Sequence, residues 1–294
     1  DDKMETLYPI EHQTLISKVF DFAGIKSQMS QPGLIARKVI EKIGGLEDAR
    51  VLKIKGVRKI LQEGSPGSTI TRGEATKTIH ENDFQKHKRL FIEAREKAEL
   101  DSNSVFDYLL KKDFFRAGLE LTCEQCRLKN WLTLKSIDDF WMCEYCGGQN
   151  QTSTHLKTRG DWKFRKSGLF AKDNHQEGAI PVLLTLLAIK RIADHSNFTY
   201  STALELSGEN LGCETDLCIV QYGRHDKIEI AIGECKSEGG VITQDDCNKL
   251  KEVAKKISSN GGMEACIIFS KTSDSFLPEE IVLFKELAKE AKII

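Results

Sequence analysis

Four cysteines in two close pairs constrain this 294-residue chain more than any other feature of its sequence. Cys123 and Cys126 are followed, after sixteen intervening residues, by Cys143 and Cys146. Each Cys-x2-Cys makes a tight turn that aims two thiolates at one point. An intervening hairpin then brings the second pair opposite the first. This is the spacing of a closed tetrahedral zinc site. Gly147 and Gly148, directly after Cys146, suit the tight backbone such a turn needs. Four protein thiolates leave no open coordination position, so the expected metal is structural and not catalytic. Two disulfides or four unrelated thiols are the alternatives, and the two pairs together with the loop length favour zinc. The other five cysteines (Cys213, Cys218, Cys235, Cys247 and Cys266) stand singly. An odd total with no regular framework points to a reducing compartment and hence to a cytoplasmic setting.

The quartet lies in "LELTCEQCRLKNWLTLKSIDDFWMCEYCGGQN", which alternates in short β-like pieces and is similar to a zinc ribbon over residues 118–155. Residues 1–117 read as a helical region. "HQTLISKVFDF" and "LIARKVIEKI" carry apolar residues at three- and four-residue spacing, and the second ends at Gly44-Gly45. "DARVLKIKGVRKILQEG" continues the helical pattern, "EGSPGSTITRG" reads as a loop, and Ser102 or Ser104 is the expected cap of a helix running to about Lys112. No internal repeat or low-complexity tract is evident. No signal peptide is evident either, and the longest apolar run, Ala179 to Ile189, is too short for a bilayer, so no membrane partner is expected.

Net charge is −1, but it is unevenly spread. Arg50 to Lys97 holds twelve Lys/Arg against six Asp/Glu; Lys157 to Lys172 holds six against one. From Asp173 to the end there are thirteen against twenty. Basic front segments and an acidic back segment match a nucleic-acid binder whose later part holds metal-binding carboxylates. Arg50, Lys53, Lys55, Arg58 and Lys59, with Lys163, Arg165 and Lys166 of a basic linker at 156–172, are the expected phosphate contacts. The bland reading of both stretches is a solvated helix face. For the helical region a plain scaffold competes with a DNA-binding helix-turn-helix variant.

From residue 173 the character changes to an α/β alternation of helix, three strands, helix, strand and helix. One strand of this region ends oddly. The aliphatic run Ile228 to Ile232 leads into Glu234, Cys235 and Lys236. Side chains alternate along a strand, so Glu234 and Lys236 share a face and Cys235 points away. The preceding strand carries Glu214 and Asp216, again two apart. If the two strands are neighbours, Asp216, Glu234 and Lys236 converge. Close carboxylates raise each other's pKa, and a divalent cation removes that penalty. A strand-end ion pair is the bland alternative.

With Thr215-Asp216 in place of Pro-Asp, and Glu234-Cys235-Lys236 as the (D/E)XK element, residues 173–294 resemble the PD-(D/E)XK nuclease superfamily. The resemblance implies an α/β fold, a restriction-endonuclease-like mixed sheet flanked by helices. It also implies Mg2+ or Mn2+ held by Asp216, Glu234 and the Cys235 carbonyl, Lys236 beside the attacking water, and hydrolysis of a phosphodiester, most simply in DNA. Many members carry a further acid on the helix before the first core strand, where Glu177 fits, and several carry a Gln on the later helix, where Gln244 fits loosely. His175 lies near enough in sequence to border such a site. A restriction or anti-phage defence setting, with a homo-oligomer or a partner subunit, is in keeping with the resemblance. The alternative function is a catalytically inactive nucleic-acid-binding or assembly module of the same fold.

Overall fold

The computed structural model describes residues 11–65, 67–82, 84–87, 101–155, 162–171, 178–192, 199–209, 211–222, 228–259 and 263–293. In chain order its elements begin with α1 (His12–Phe22), β1 (Lys26–Met29) and α2 (Gln31–Ile43). A 3-10 helix (Leu46–Lys53) precedes α3 (Lys55–Gln62), β2 (Thr69–Thr71), α4 (Arg72–Glu81), α5 (Phe84–His87) and α6 (Ser102–Lys111). Then come β3 (Phe115–Thr122), β4 (Lys129–Thr133), β5 (Phe140–Met142), β6 (Gln149–Gln151), α7 (Thr152–His155) and β7 (Lys163–Lys166). The last part holds α8 (Ala179–Ile192), β8 (Thr199–Gly208), β9 (Leu211–Tyr222), β10 (Ile228–Lys236), α9 (Gln244–Ser258), β11 (Met263–Lys271), α10 (Pro278–Leu287) and β12 (Lys292–Ile293). Among the described residues no helix is long and apolar enough to cross a membrane.

The chain divides into two compact units, one of Asp1–Glu41 with Glu177–Ile294, the other of Lys42–Gln176. This differs from a helical front region followed by a separate nuclease-like segment, because the first helix and strand join the C-terminal sheet. In the first unit six strands run in the order β1-β8-β9-β10-β11-β12. The sheet is mixed. β1, β8, β9 and β10 pair antiparallel in turn, whereas β10–β11 and β11–β12 are parallel. Helix α1 buries Ile16, Val19 and Phe20, the three- and four-residue spacing of one helical face. They join Leu204, Ile230, Ile232 and Ile267 of the sheet and Leu250 and Val253 of α9 in one core. Helix α8, with Ile180, Leu183, Leu186 and Leu187 buried, packs against β9, β10 and β11.

The second unit is built on a four-stranded antiparallel sheet in the order β2-β7-β3-β4, with a two-stranded β5–β6 hairpin. Its core gathers phenylalanines: Phe114 stacks on Phe170 at 3.9 Å between centroids, and Phe106 meets Phe164 edge-on at 5.1 Å. Several local expectations change here. Residues 163–166, read as linker, form the strand β7. Part of the expected loop is β2, whose last residue, Thr71, caps α4 in a capping box with Glu74. After Gly44 and Gly45, at φ +101° and +115°, the chain restarts as a 3-10 helix and not as a continuing α-helix. The cap of α6 is Asp101, which accepts from Ser104 N at 2.6 Å, in place of either serine.

Candidate functional site

The ladder between β9 and β10 determines the first site. Its last paired residues are Leu217 and Gly233, and Thr215 fastens the end: its Oγ accepts from Gly233 N at 2.9 Å and lies 3.0 Å from Gly233 O. Beyond that point a side chain replaces the backbone acceptor. Asp216 Oδ2 accepts the Cys235 N–H at 2.7 Å, which holds the carboxylate beside the end of β10. Glu234 and Lys236 lie two apart on that strand and meet directly, Nζ to Oε1 at 2.5 Å. Cys235 faces the other way, its thiol 3.5 Å from Thr185 on α8. Burial pushes that thiol up to about 12, which makes it an inert packing group.

The electrostatics follow from burial. Desolvation pushes the Asp216 carboxyl up to about 6, against the Cys235 N–H that favours its charge. Desolvation, then the charge of Asp216, pushes Glu234 up to about 7. Burial pulls the Lys236 ammonium down, but Glu234 outweighs it and holds the pKa above the ordinary lysine value. The site therefore holds one secure positive charge and two carboxylates that resist ionising together. Among the described residues the donors gathered beside Lys236 are carboxylate oxygens, which suit a small hard dication such as Mg2+.

A fourth side chain belongs here that sequence reasoning missed. Asp246 caps its own helix, accepting from Thr243 N at 2.8 Å, and its Oδ2 lies 3.8 Å from Lys236 Nζ. The Thr-x-x-Asp box at 243–246 was the available signal. Gln244, on the same first turn, is exposed and donates to Asn248 at 3.1 Å, so the helix turns Asp246 and not Gln244 toward Lys236. Gly239, at φ +87°, lies in the turn closed by Gly240 N to Ser237 O at 3.0 Å. Glu177 and His175 lie outside the described residues.

In the second unit the thiols of Cys123, Cys126, Cys143 and Cys146 all lie within 4.8 Å of one another, the one such cluster of metal-ligating side chains among the described residues. Cys123 and Cys146 are 3.7 Å apart, Cys126 and Cys143 3.6 Å. A disulfide needs about 2.05 Å. A tetrahedron with bonds of about 2.3 Å puts sulfurs about 3.8 Å apart. The quartet therefore fits a zinc ion.

The two knuckles are copies of each other. Cys-Glu-x-Cys-x-x-x-Asn occurs at 123–130 and again at 143–150, a repeat that contradicts the expectation of none. Each asparagine is buried and crosses to the opposite knuckle. Asn130 accepts from Glu144 N at 2.9 Å and donates to the Cys143 sulfur at 3.4 Å. Asn150 accepts from Glu124 N at 2.8 Å and donates to the Cys123 sulfur at 3.6 Å. Arg127 and Gly147 hold matching left-handed backbones, at φ +62° and +70°.

The expected phosphate contacts divide. Lys166 is buried and donates to the carbonyl oxygens of Leu61, Glu63 and Gly64 at 3.0–3.1 Å, satisfying the end of α3. Arg58 donates to the carbonyls of Leu52 and Lys53, and Arg50 to that of Glu47. Lys59 is exposed beside Glu63 at 3.7 Å, while Lys53 and Lys55 are half-buried. These arginines and Lys166 hold backbone together. Lys163 and Arg165, by contrast, stand on the outer face of the sheet, opposite the buried Phe164.

No protein-family model matches the chain, and no curated protein sequence does. Among solved structures it is similar to that of Can2 from Sulfobacillus thermosulfidooxidans in complex with cyclic tetra-adenylate (cA4). The match covers 95% of this chain and 56% of that one, at 10% identity and a TM-score of 0.34. The chain thus spans little more than half the length of Can2.

Proposed function

We propose that the unit of Asp1–Glu41 and Glu177–Ile294 is a metal-dependent nuclease of the PD-(D/E)XK kind that hydrolyses phosphodiester bonds, with DNA as the expected substrate. One observation carries the reading: two half-buried carboxylates, Asp216 and Glu234, stand where the ladder between adjacent strands ends, with Lys236 on the face of Glu234. A divalent cation, when bound, supplies Lewis acidity and acidifies a water. The chain's own residues do the rest. Asp216 and Glu234, with the Cys235 carbonyl, hold the cation, which offsets the repulsion that otherwise keeps a proton on the pair. Lys236, kept charged by Glu234, places a positive charge where a phosphate oxygen gains negative charge. Glu177 is the further acid of this reading. The zinc ribbon supports structure, and a defence setting is in keeping with the family resemblance.

Incubation of plasmid DNA, single-stranded DNA and RNA with Mg2+ or Mn2+ tests the proposal. The wild type should cut one of them. Asp216→Ala, Glu234→Ala and Lys236→Ala should each lower the rate on the order of 100-fold or more, as expected when transition-state stabilisation is lost. The double variant should be no worse, because the groups act as one unit. No cleavage of any substrate with either metal would replace this reading with the binding module.

A further inference from the structure

The outer face of the four-stranded sheet in the second unit carries an arrangement that the carboxylate site does not use. Strand alternation and register place its residues. Phe164, Leu119, Leu121 and Asn130 are buried on the inner face. Lys163 and Arg165 of β7, Arg116, Gly118 and Glu120 of β3, and Lys129 and Trp131 of β4 therefore share the outer one. Four cations stand there against one carboxylate. Glu120 engages Lys129 at 3.0 Å, and Arg116 lies 3.8 Å from Asp113 at the edge of the sheet.

The centre of this face is flat and aromatic. The Arg165 guanidinium lies 4.4 Å from the centroid of the Trp131 ring. The indole lies over Gly118, where a Cβ would come within 2.8 Å of the ring and 2.3 Å of Leu132 O. Glycine at 118 thus lets the ring lie across the sheet. Trp131 Nε1 and Arg165 Nε are buried atoms with no hydrogen-bond partner among the described residues, and both side chains are half-buried, so what the face offers a ligand is the open side of the stacked pair. Tyr145, 60% exposed on the second knuckle, has its hydroxyl bonded to Glu144, whose carboxylate holds its pKa above the ordinary value, and lies near enough to Arg165 to feel its charge.

We infer that this face binds single-stranded nucleic acid, with bases stacking on the Trp131–Arg165 pair and phosphates meeting Lys163 and Arg116. A flat aromatic–guanidinium surface is the part that chooses the partner. Every unpaired base has a π-face to lay on it, and cations beside it track the backbone. A duplex keeps its bases stacked inside and offers only phosphates, so it gains nothing from Trp131. An acidic protein surface would use the cations and leave the flat ring idle. The inference deepens the proposed function by naming a substrate class, and it does not rest on catalysis at Asp216 and Glu234.

The test is binding by the full chain carrying Glu234→Ala, zinc-loaded and without Mg2+, so that failure to cut and failure to bind are separate results. Fluorescent oligo-dT, oligo-rU and a DNA duplex of about 20 nucleotides exceed the ~4–16 that one such platform spans. Anisotropy should show either single strand bound more tightly than the duplex, and the better of the two identifies the sugar. Trp131→Ala should weaken single-strand binding on the order of 10-fold, with Trp131→Phe retaining most of it. Zinc content and melting temperature check that the sheet survives. Lys163→Gln with Arg116→Gln, at positions outside the core, should flatten the slope of log affinity against log salt by about 0.7 per side chain. Duplex preference, variants that bind like the parent with the same slope, heparin displacing the strand with no dependence on Trp131, or no binding at all would each overturn the inference.

Discussion

Glu234 is tied to Lys236 at 2.5 Å yet titrates upward, because burial and the charge of Asp216 outweigh the ion pair. Its folded value, about 7, lies above the ordinary 4.5, so between those values the folded chain holds a proton that the unfolded chain has released. Stability contributed by this group is therefore lost as pH rises through that window. Melts of the metal-free protein from about pH 5 to about pH 8 should show Glu234→Gln gaining on the wild type as pH rises, and Mg2+ should stabilise the wild type most at the alkaline end. A Glu234→Gln variant that loses ground with rising pH would contradict the raised Glu234 carboxyl. The asparagines of the four-cysteine cluster set a second residue-scale expectation. Asn130→Leu or Asn150→Leu removes both the brace to the opposite knuckle and a donor to a thiolate. Zinc affinity should fall about 10- to 100-fold, read by competition with a chelating dye. Unchanged affinity would make those contacts idle. The alternation that unites Glu234 with Lys236 was legible in five residues of sequence. The place of Asp246 was not, because it depends on how α9 docks.

At the scale of elements, one buried carboxylate ties three segments together. Glu280, on the first turn of α10, accepts from Ile242 N at 2.8 Å, Leu277 N at 2.7 Å and Lys271 Nζ at 3.0 Å. Burial pushes its pKa up, but these donors outweigh it and hold the carboxyl below the ordinary value, so its contribution is present above the unfolded pKa and lost as pH falls. Glu280→Ala strands the Lys271 charge, whose side chain is 5% exposed, and should cost about 3–5 kcal/mol in chemical denaturation. A change below about 1 kcal/mol would show that the pair had found water. In the second unit, Lys166→Met should lower the melting temperature, because it leaves three carbonyl oxygens without a donor, while nucleic-acid affinity stays constant. A loss of affinity at unchanged stability would return Lys166 to the binding surface. The order of α8 to α10 was readable because each element has a strong period or apolar run. β1, with the polar sequence Lys-Ser-Gln-Met, and the basic β7 had no such signal. Their strand state comes from pairing with β8 and with β2 and β3.

For the whole molecule, two units formed from three stretches of chain carry the carboxylate–lysine site and the four-cysteine cluster separately. Cys143→Ser should abolish zinc binding and raise amide exchange across β3 to β6, while β8 to β11 keep their protection. Loss of protection in both units together would mean that the four-cysteine cluster supports the whole chain. The sequence by itself determined what is local. The Cys-x2-Cys spacing specified a four-thiolate site, the alternation at 234–236 specified a shared face, and the periodicities of the last third specified an alternation of helices and strands. These hold because thiol spacing, strand pleat and helical period act within a few residues. Tertiary structure alone decided that α1 and β1 complete the C-terminal sheet. It also decided that Asp216 takes the Cys235 N–H where the ladder ends, and that Lys166 turns inward while Arg165 stacks on Trp131. Each of those outcomes joins residues far apart in the chain, and the same basic side chain satisfies a carbonyl or faces solvent according to which strand lies beside it.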